Sequence, residues 1–500
     1  MKLTRISLAM AAACGALASA PAFAITASPT PGVPGTGYTN TGEFTGDTLN
    51  IRVSGATAQD NGILGSALSL CTAGSVHRYA ISNNFVFYCT PDIGTNAGQI
   101  TVPAGKTKLS IYKYSVGGSA FGVVPINSNT ASDGSALGSA GNQLPFLDLS
   151  KLATQCDGNT SATVTTVSFG TSLGTYTNVA CPNASGAVTT LATTYVGVSD
   201  VEPAFFSSGT ANVTAASSYA LIFGVPVSLN LRNALQTQQG LTSGDDSEAN
   251  MPSLTSAQLV SAYTQPGQTW NAIGVTFPGS IYVARRVDSS GTQKTFEALV
   301  ARSGNGQPFK SCSVSLDVFV GPDSGNTTTG DADSVCSTGA TTVAALSGGG
   351  NVRQCLINHN TGGRGAIGIL TTEDKPGTAA WRFVKVDGVT PNQAQTAAGR
   401  YRYYDESTLN TRTSGAFATG AALGYGPFVA RLSSDFANPA IINVINGANQ
   451  TFGKAGLMAL LTSQASGTVA DYTGASSVVP WTKLVGGTLL DNCQAPKAVF

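Results

Sequence analysis

Four stretches of this 500-residue chain repeat one local grammar: an apolar run of strand type, a turn of Gly, Ser, Thr or Asp, then a predicted helix. The turns are Ser54-Gly55-Ala56-Thr57-Ala58, Gly117-Gly118-Ser119-Ala120, Val198-Ser199-Asp200 and the run from Arg286 to Thr292. Strands at 48–53, 108–114, 195–198 and 281–284 precede them. Helical spacing follows at Ile63, Leu64, Ala67 and Leu68, and again at Phe296, Leu299 and Val300. Alternating strands and helices point to α/β layers around a mainly parallel sheet, in which ligands sit at the carboxyl ends of strands.

The remaining periodicity agrees. Apolar positions at 254, 259, 260 and 263 predict a helix with Thr255 placed to cap it. Residues 221–229 and 365–370 predict further buried strands, and Pro226 argues against a central, hydrogen-bonded place for the first of these. The Gly- and Asp-rich run 321–350 reads as loop, and no short internal repeat emerges. The expected organisation is a signal peptide at 1–24, a flexible Pro/Gly/Thr-rich leader at 25–47 and a first lobe at 48–224. That lobe carries a Ser/Thr/Gly-rich insertion at about 127–190. A second lobe covers 225–370, and 371–500 returns to the first lobe and adds a C-terminal extension.

The leader sets the compartment. Lys2 and Arg5 precede an apolar run from Ile6 to Ala20, and Ala22-Phe23-Ala24 supplies small residues for cleavage. The run is too short for a membrane span. Cys14 lacks the Leu three positions earlier that a lipoprotein signal carries, so a cleaved secretory signal and a periplasmic or extracellular protein are expected. Eight cysteines then remain: Cys71, Cys89, Cys156, Cys181, Cys312, Cys336, Cys355 and Cys493. An even number in an exported chain predicts disulfides. Proximity suggests Cys71–Cys89, Cys156–Cys181 and Cys312–Cys336, leaving Cys355 with Cys493.

Without Lys2 and Arg5 the chain has 24 basic against 26 acidic residues, a net charge of −2 and no basic footprint for nucleic acid. Only 10% of residues are charged and 42% are hydrophobic, which suits a folded, polar-surfaced exported protein. No Cys pair has C-x-x-C spacing and there are two histidines, so no metal site is expected. Neither His77, read as a surface residue, nor His359 stands in a nucleophile context. Gly117 to Gly122 is not the Gly-x-Ser-x-Gly elbow, so a hydrolase is not expected. The Asp245-Asp246 pair and Asp331/Asp333 do not fit EF-hand spacing and read as solvated loop charge.

The turns themselves suit an oxyanion. Helix N-termini present unpaired N–H groups, hydroxyls add donors, and Arg286 adds a planar fork matched to phosphate oxygens. The set resembles the phosphate loops of substrate-binding proteins of ABC phosphate transporters. Ser54-Gly55-Ala56-Thr57 is similar to their first loop, although Ala58 stands where they have an aromatic residue. Gly117-Gly118-Ser119-Ala120 is similar to their Gly-Ser-Gly loop, and Ser199-Asp200 to their Ser-Asp pair. Arg286-Val287-Asp288-Ser289-Ser290-Gly291-Thr292 fits their Arg-x-Asp-x-Ser-Gly-Thr loop residue for residue.

The resemblance covers about residues 48–122 and 192–410. It implies a two-lobed type II periplasmic-binding fold, hinged closure over inorganic phosphate, no cofactor, no catalysis, a monomer and an ABC permease as partner. It further implies hydroxyl donors from Thr57, Ser119, Ser290 and Thr292, and backbone donors from Ala58 and Gly291. Arg286 would hold two phosphate oxygens, oriented by Asp288. Asp200 would accept a proton that phosphate carries and sulfate lacks. A surface or adhesion protein that keeps the fold without a permease is the alternative reading.

Overall fold

The computed structural model describes residues 47–81, 83–92, 105–128, 141–149, 151, 163–169, 174–180, 188–206, 212–265, 267–301, 327–329, 332–413, 425–445, 449–461, 472, 476–485 and 489–499. The signal peptide, the leader as far as residue 46, Cys156, Cys181 and Cys312 lie outside them.

The chain builds two sheets of the same order. In the first, β1 (Thr48–Gly55) is followed by α1 (Asp60–Leu70), β2 (His77–Ile81), β3 (Asn84–Cys89) and β4 (Lys108–Tyr114). Strands β5 (Gln143–Leu147), β6 (Thr163–Phe169), β7 (Gly174–Ala180), β8 (Thr189–Thr193), β9 (Val196–Ser199) and β10 (Val213–Ser228) come next. β1 lies parallel to both β4 and β9. Strands β3 and β2 extend the sheet beyond β4, and β7 adds on in parallel to β2. Within the region expected to be an insertion, β6 pairs with β7 and β5 with β8. Every residue of β4 and β9 is buried, the signature of strands covered on both faces.

Downstream lie α2 (Leu229–Gln238), β11 (Ser253–Leu254), α3 (Ser256–Thr264), β12 (Tyr282–Arg286), α4 (Gly291–Phe296), β13 (Thr327–Thr329) and β14 (Val343–Leu346). Then follow α5 (Gly349–Thr361), β15 (Ala366–Gly368), β16 (Leu370–Thr371), β17 (Trp381–Val386) and β18 (Tyr404–Arg412). In the second sheet β12 lies parallel to β14 and β15. β15 meets β10 antiparallel, and β17 closes the far side of β10. The first sheet has the matching sequence: β9 meets β18 antiparallel, and β18 pairs with β10. β10 therefore belongs to both sheets, and its residues 218–228 are all buried.

Local rules account for the helices. Thr255 accepts from Gln258 N–H at 3.2 Å while Gln258 Oε1 accepts from Thr255 N–H at 2.9 Å, the reciprocal capping box. Gly55, at φ 113°, ends β1 where a Cβ would stand 2.0 Å from the Val198 carbonyl oxygen. Only glycine lets the first turn lie this close to β9. Among the described residues no helix is long and apolar enough to cross a membrane.

Three expectations need correction. Pro226 does lie on a central strand: β10 pairs with β16 at Phe223 and Gly224 and with β15 at Val227. The proline falls in the break between them, where no ladder bond is lost. The run 321–350 is not all loop, since it holds β13, β14, a short helix (Ala332–Cys336) and the first residues of α5. His77 is not on the surface; it is 2% exposed, on β2.

The disulfides also differ. Cys71–Cys89 forms as expected, but Cys336 pairs with Cys355 across the short helix and α5. This excludes both Cys312–Cys336 and Cys355–Cys493, although Cys493 is itself disulfide-bonded. The pair is closer along the chain than Cys312 and Cys336, and the packing of the two helices brings the sulfurs together.

Peptide mapping of the unreduced protein should recover Cys336 and Cys355 in one linked pair; a Cys312–Cys336 link would contradict the fold around α5. Replacing both by Ser should cost about 3 kcal/mol, read as a lower urea midpoint, because the cross-link closes a short loop.

Candidate functional site

The parallel strands β1, β4 and β9 deliver three of the four turns to one edge, and β12 delivers the fourth. The turn after β1 carries Thr57 and Ala58. It is held by Lys113, whose Nζ donates to the Gly55 and Ala56 carbonyls at 2.9 and 3.1 Å. Lys113 is wholly buried, so its charge requires partners. Besides the two carbonyls it has Ser115 Oγ at 2.7 Å and an ion pair with Asp60 Oδ1 at 3.2 Å. Burial lowers the Lys113 pKa and raises that of Asp60.

The second and third turns lock together. Gly117 and Gly118 both have positive φ and lead into the turn Ser119–Gly122. Asp200 N–H donates to Ser119 Oγ at 3.1 Å. Asp200 Oδ2 accepts from Thr292 Oγ1 at 3.2 Å, and its Oδ1 is buried with no partner among the described residues. Burial pushes the Asp200 carboxyl up to about 6, against the pull of Arg286.

The fourth turn meets the second directly. Ala120 N–H donates to the Ser289 carbonyl at 2.9 Å. At Gly291 a Cβ would come within 2.3 Å of Ser119 Oγ and 2.8 Å of Asp200 Cβ. Ser290, the N-cap of α4, is buried and its side chain makes no capping bond.

Arg286 is 2% exposed. Its Nε donates to the Leu346 carbonyl at 3.1 Å and its Nη2 to that of Ser347 at 2.7 Å. No carboxylate lies within ion-pair distance of it among the described residues, and Nη1 makes no hydrogen bond there. Burial lowers its pKa to about 10, against the field of Asp200, Asp374 and Asp60. The orienting role expected of Asp288 is not what the fold provides: Asp288 pairs with Arg285 and is 63% exposed. The carbonyls of Leu346, which ends β14, and Ser347 hold the Arg286 guanidinium instead; β12 ends at Arg286, and the turn that follows breaks the strand alternation that would have kept Asp288 on the Arg286 face.

A cavity of about 280 Å³ opens at this edge, lined by Thr57, Ala58, Arg286 and Thr292 among the expected residues. Ser119, Asp200, Ser290 and Gly291 are packed behind that lining and do not form part of it. The sequence reading missed Arg78, Arg353, Glu373 and Asp374, which complete the wall. Arg353 ion-pairs with Asp374. It lies on α5, just beyond the run read as loop, where no helix was expected. Lys113 was visible only as a charge near the carboxyl end of an otherwise apolar strand.

No family model and no curated protein matches the chain. Among solved structures it is similar to a protein described as a phosphate ABC transporter substrate-binding protein, with bound phosphate, from Clostridium perfringens. Identity is 12% and the TM-score 0.36, over 79% of this chain and 96% of that one. It is also similar to a phosphate-binding protein from Stenotrophomonas maltophilia (13%, TM-score 0.35, 77% and 84%). An ABC-type phosphate transport receptor from Vibrio cholerae is a third (15%, TM-score 0.28, 49% and 78%). Likenesses this distant say nothing about what this chain binds.

Gly291→Ala should lower stability by about 1–3 kcal/mol, the range for an added methyl in a packed contact, measured by urea unfolding. A neutral result would mean that the two turns do not meet as closely as described.

Proposed function

We propose that the chain is an exported substrate-binding protein that captures phosphate in this cavity. One observation carries the reading: among the described residues, a buried arginine without a carboxylate in ion-pair reach lines a polar cavity with one guanidinium nitrogen unbonded. A buried cation of this kind requires an anion. Thr57 and Thr292 supply hydroxyls beside it, and a planar fork suits tetrahedral oxyanions.

Asp200 is the proposed source of selectivity. With its pKa near 6 it is ionised at pH 7 to 8. It then takes the hydroxyl hydrogen of Thr292, which lines the cavity, so that Thr292 turns a lone pair to the ligand and favours an anion that carries a proton over sulfate, which has none to give. Ser119 and Gly291 pack against Asp200 behind the lining, Ser290 stands at the N-cap of the helix that carries Thr292, and Ala58 offers backbone at the first turn. Delivery to an ABC permease, action as a monomer and location outside the cytoplasm belong to the same reading. They are supported by the export-type leader and the resemblance of the four loops.

Equilibrium dialysis with labelled phosphate, using sulfate as competitor, tests it. Saturable phosphate binding is expected, and its absence would overturn the reading. Arg286→Ala should weaken phosphate by about 2–3 kcal/mol, roughly 30- to 150-fold, for loss of charged hydrogen bonds.

The pH dependence has a definite sign. As pH falls from 8 through 6 to 5, Asp200 gains a proton and becomes a donor, so sulfate should compete better at pH 5 than at pH 8. Asp200→Asn should remove that difference; sulfate competition independent of pH in the unsubstituted protein would exclude Asp200 from the role.

A further inference from the structure

The cavity is larger than its oxyanion end needs. At the roughly 30 Å³ that a water occupies in the liquid, 280 Å³ corresponds to about nine waters. Phosphate has five heavy atoms. The surplus lies beside a second wall made by different elements: Arg78 and Asn83 from β2 and the turn after it, Arg353 from α5, and Glu373 and Asp374 after β16. This wall mixes acceptors with donors. Arg353 and Asp374 satisfy each other as an ion pair, and Arg78 donates to Asn178 Oδ1 at 2.8 Å. Glu373 has a hydrogen bond with Asn61 and keeps Oε1 buried and unpartnered among the described residues.

A bare phosphate does not explain that wall. Its oxygens want donors, yet in this wall Arg353 is taken by Asp374 and Arg78 is partly taken by Asn178, while Glu373, pushed up to about 8 by burial, offers a hydroxyl together with a bare acceptor oxygen that phosphate would leave unused. A second chemical group on the ligand would use them. Arg78 and Arg353 disfavour a cation there. The lining contains no aromatic ring, so a nucleobase would lack the stacking platform it usually finds. A hydroxyl both gives and accepts a hydrogen bond, and so pairs with a carboxyl in either protonation state.

We infer that the site takes a phosphomonoester of a small polyol, with the phosphoryl group at Arg286 and the hydroxyls against Glu373 and Asn83. The inference rests on the proposed phosphate reading for the seat of the phosphoryl group and extends it by naming the rest of the ligand. Inorganic phosphate would then be the smaller, weaker ligand of the same cavity.

Titration calorimetry of the purified protein with glycerol 3-phosphate and, separately, with inorganic phosphate distinguishes the two levels. Glycerol 3-phosphate should bind at least tenfold more tightly. Glu373→Gln should weaken glycerol 3-phosphate at least fivefold more than it weakens phosphate. Equal or tighter binding of phosphate, or an equal effect of Glu373→Gln on both, would overturn the polyol assignment and leave phosphate capture standing. Binding of neither ligand would overturn phosphate capture as well.

Discussion

The arrangement depends on β10. This strand of sixteen residues pairs with β18 in one sheet and with β17 in the other, and its second half is buried throughout. Two sheets that share a strand cannot choose their relative placement freely. The carboxyl ends of β1, β4 and β9 thereby come to face the turn after β12. The hydrogen bond from Ala120 to Ser289 and the tight approach of Gly291 to Ser119 follow from that placement.

A second constraint is the handling of buried charge. Lys113 is surrounded by two carbonyls, a hydroxyl and Asp60, so its charge stabilises the first turn. The same accounting fails, among the described residues, at Arg286, which is held by carbonyls alone, and at Asp200 and Glu373, each with one bare oxygen. Buried polar groups are ordinarily satisfied within the fold. Orphaned atoms also occur elsewhere among the described residues, at Tyr263 and Ser407 for example; at this edge the proposed ligand would complete the bonding.

A further tie runs behind the site. Thr295 on α4 donates to Asp405 on β18, and Lys483 ion-pairs with Asp405 at 3.1 Å. Asn492 donates to Glu202 at 2.8 and 3.1 Å, and burial pushes Glu202 up to about 8. The C-terminal segment is thus part of the scaffold that fixes the turn after β9, although no motif in it announced this. Hydrogen bonds 77 to 290 residues apart in sequence leave no local signal.

The local patterns were enough to place β1, β4, β9, β12, α1 and α3, because hydrophobic period and capping residues act over a few positions. They also located all four turns, since strand ends and glycines are written locally. Partnership was another matter. Which cysteine meets Cys355, that Asp288 serves Arg285 rather than Arg286, and that Arg353 and Glu373 share a wall with Thr57 were decided by tertiary packing. So was the difference between residues that line the cavity and those, such as Asp200 and Ser119, that stand behind it. Sequence period determines which way a side chain starts from its own strand; only the meeting of two sheets determines what it finds there.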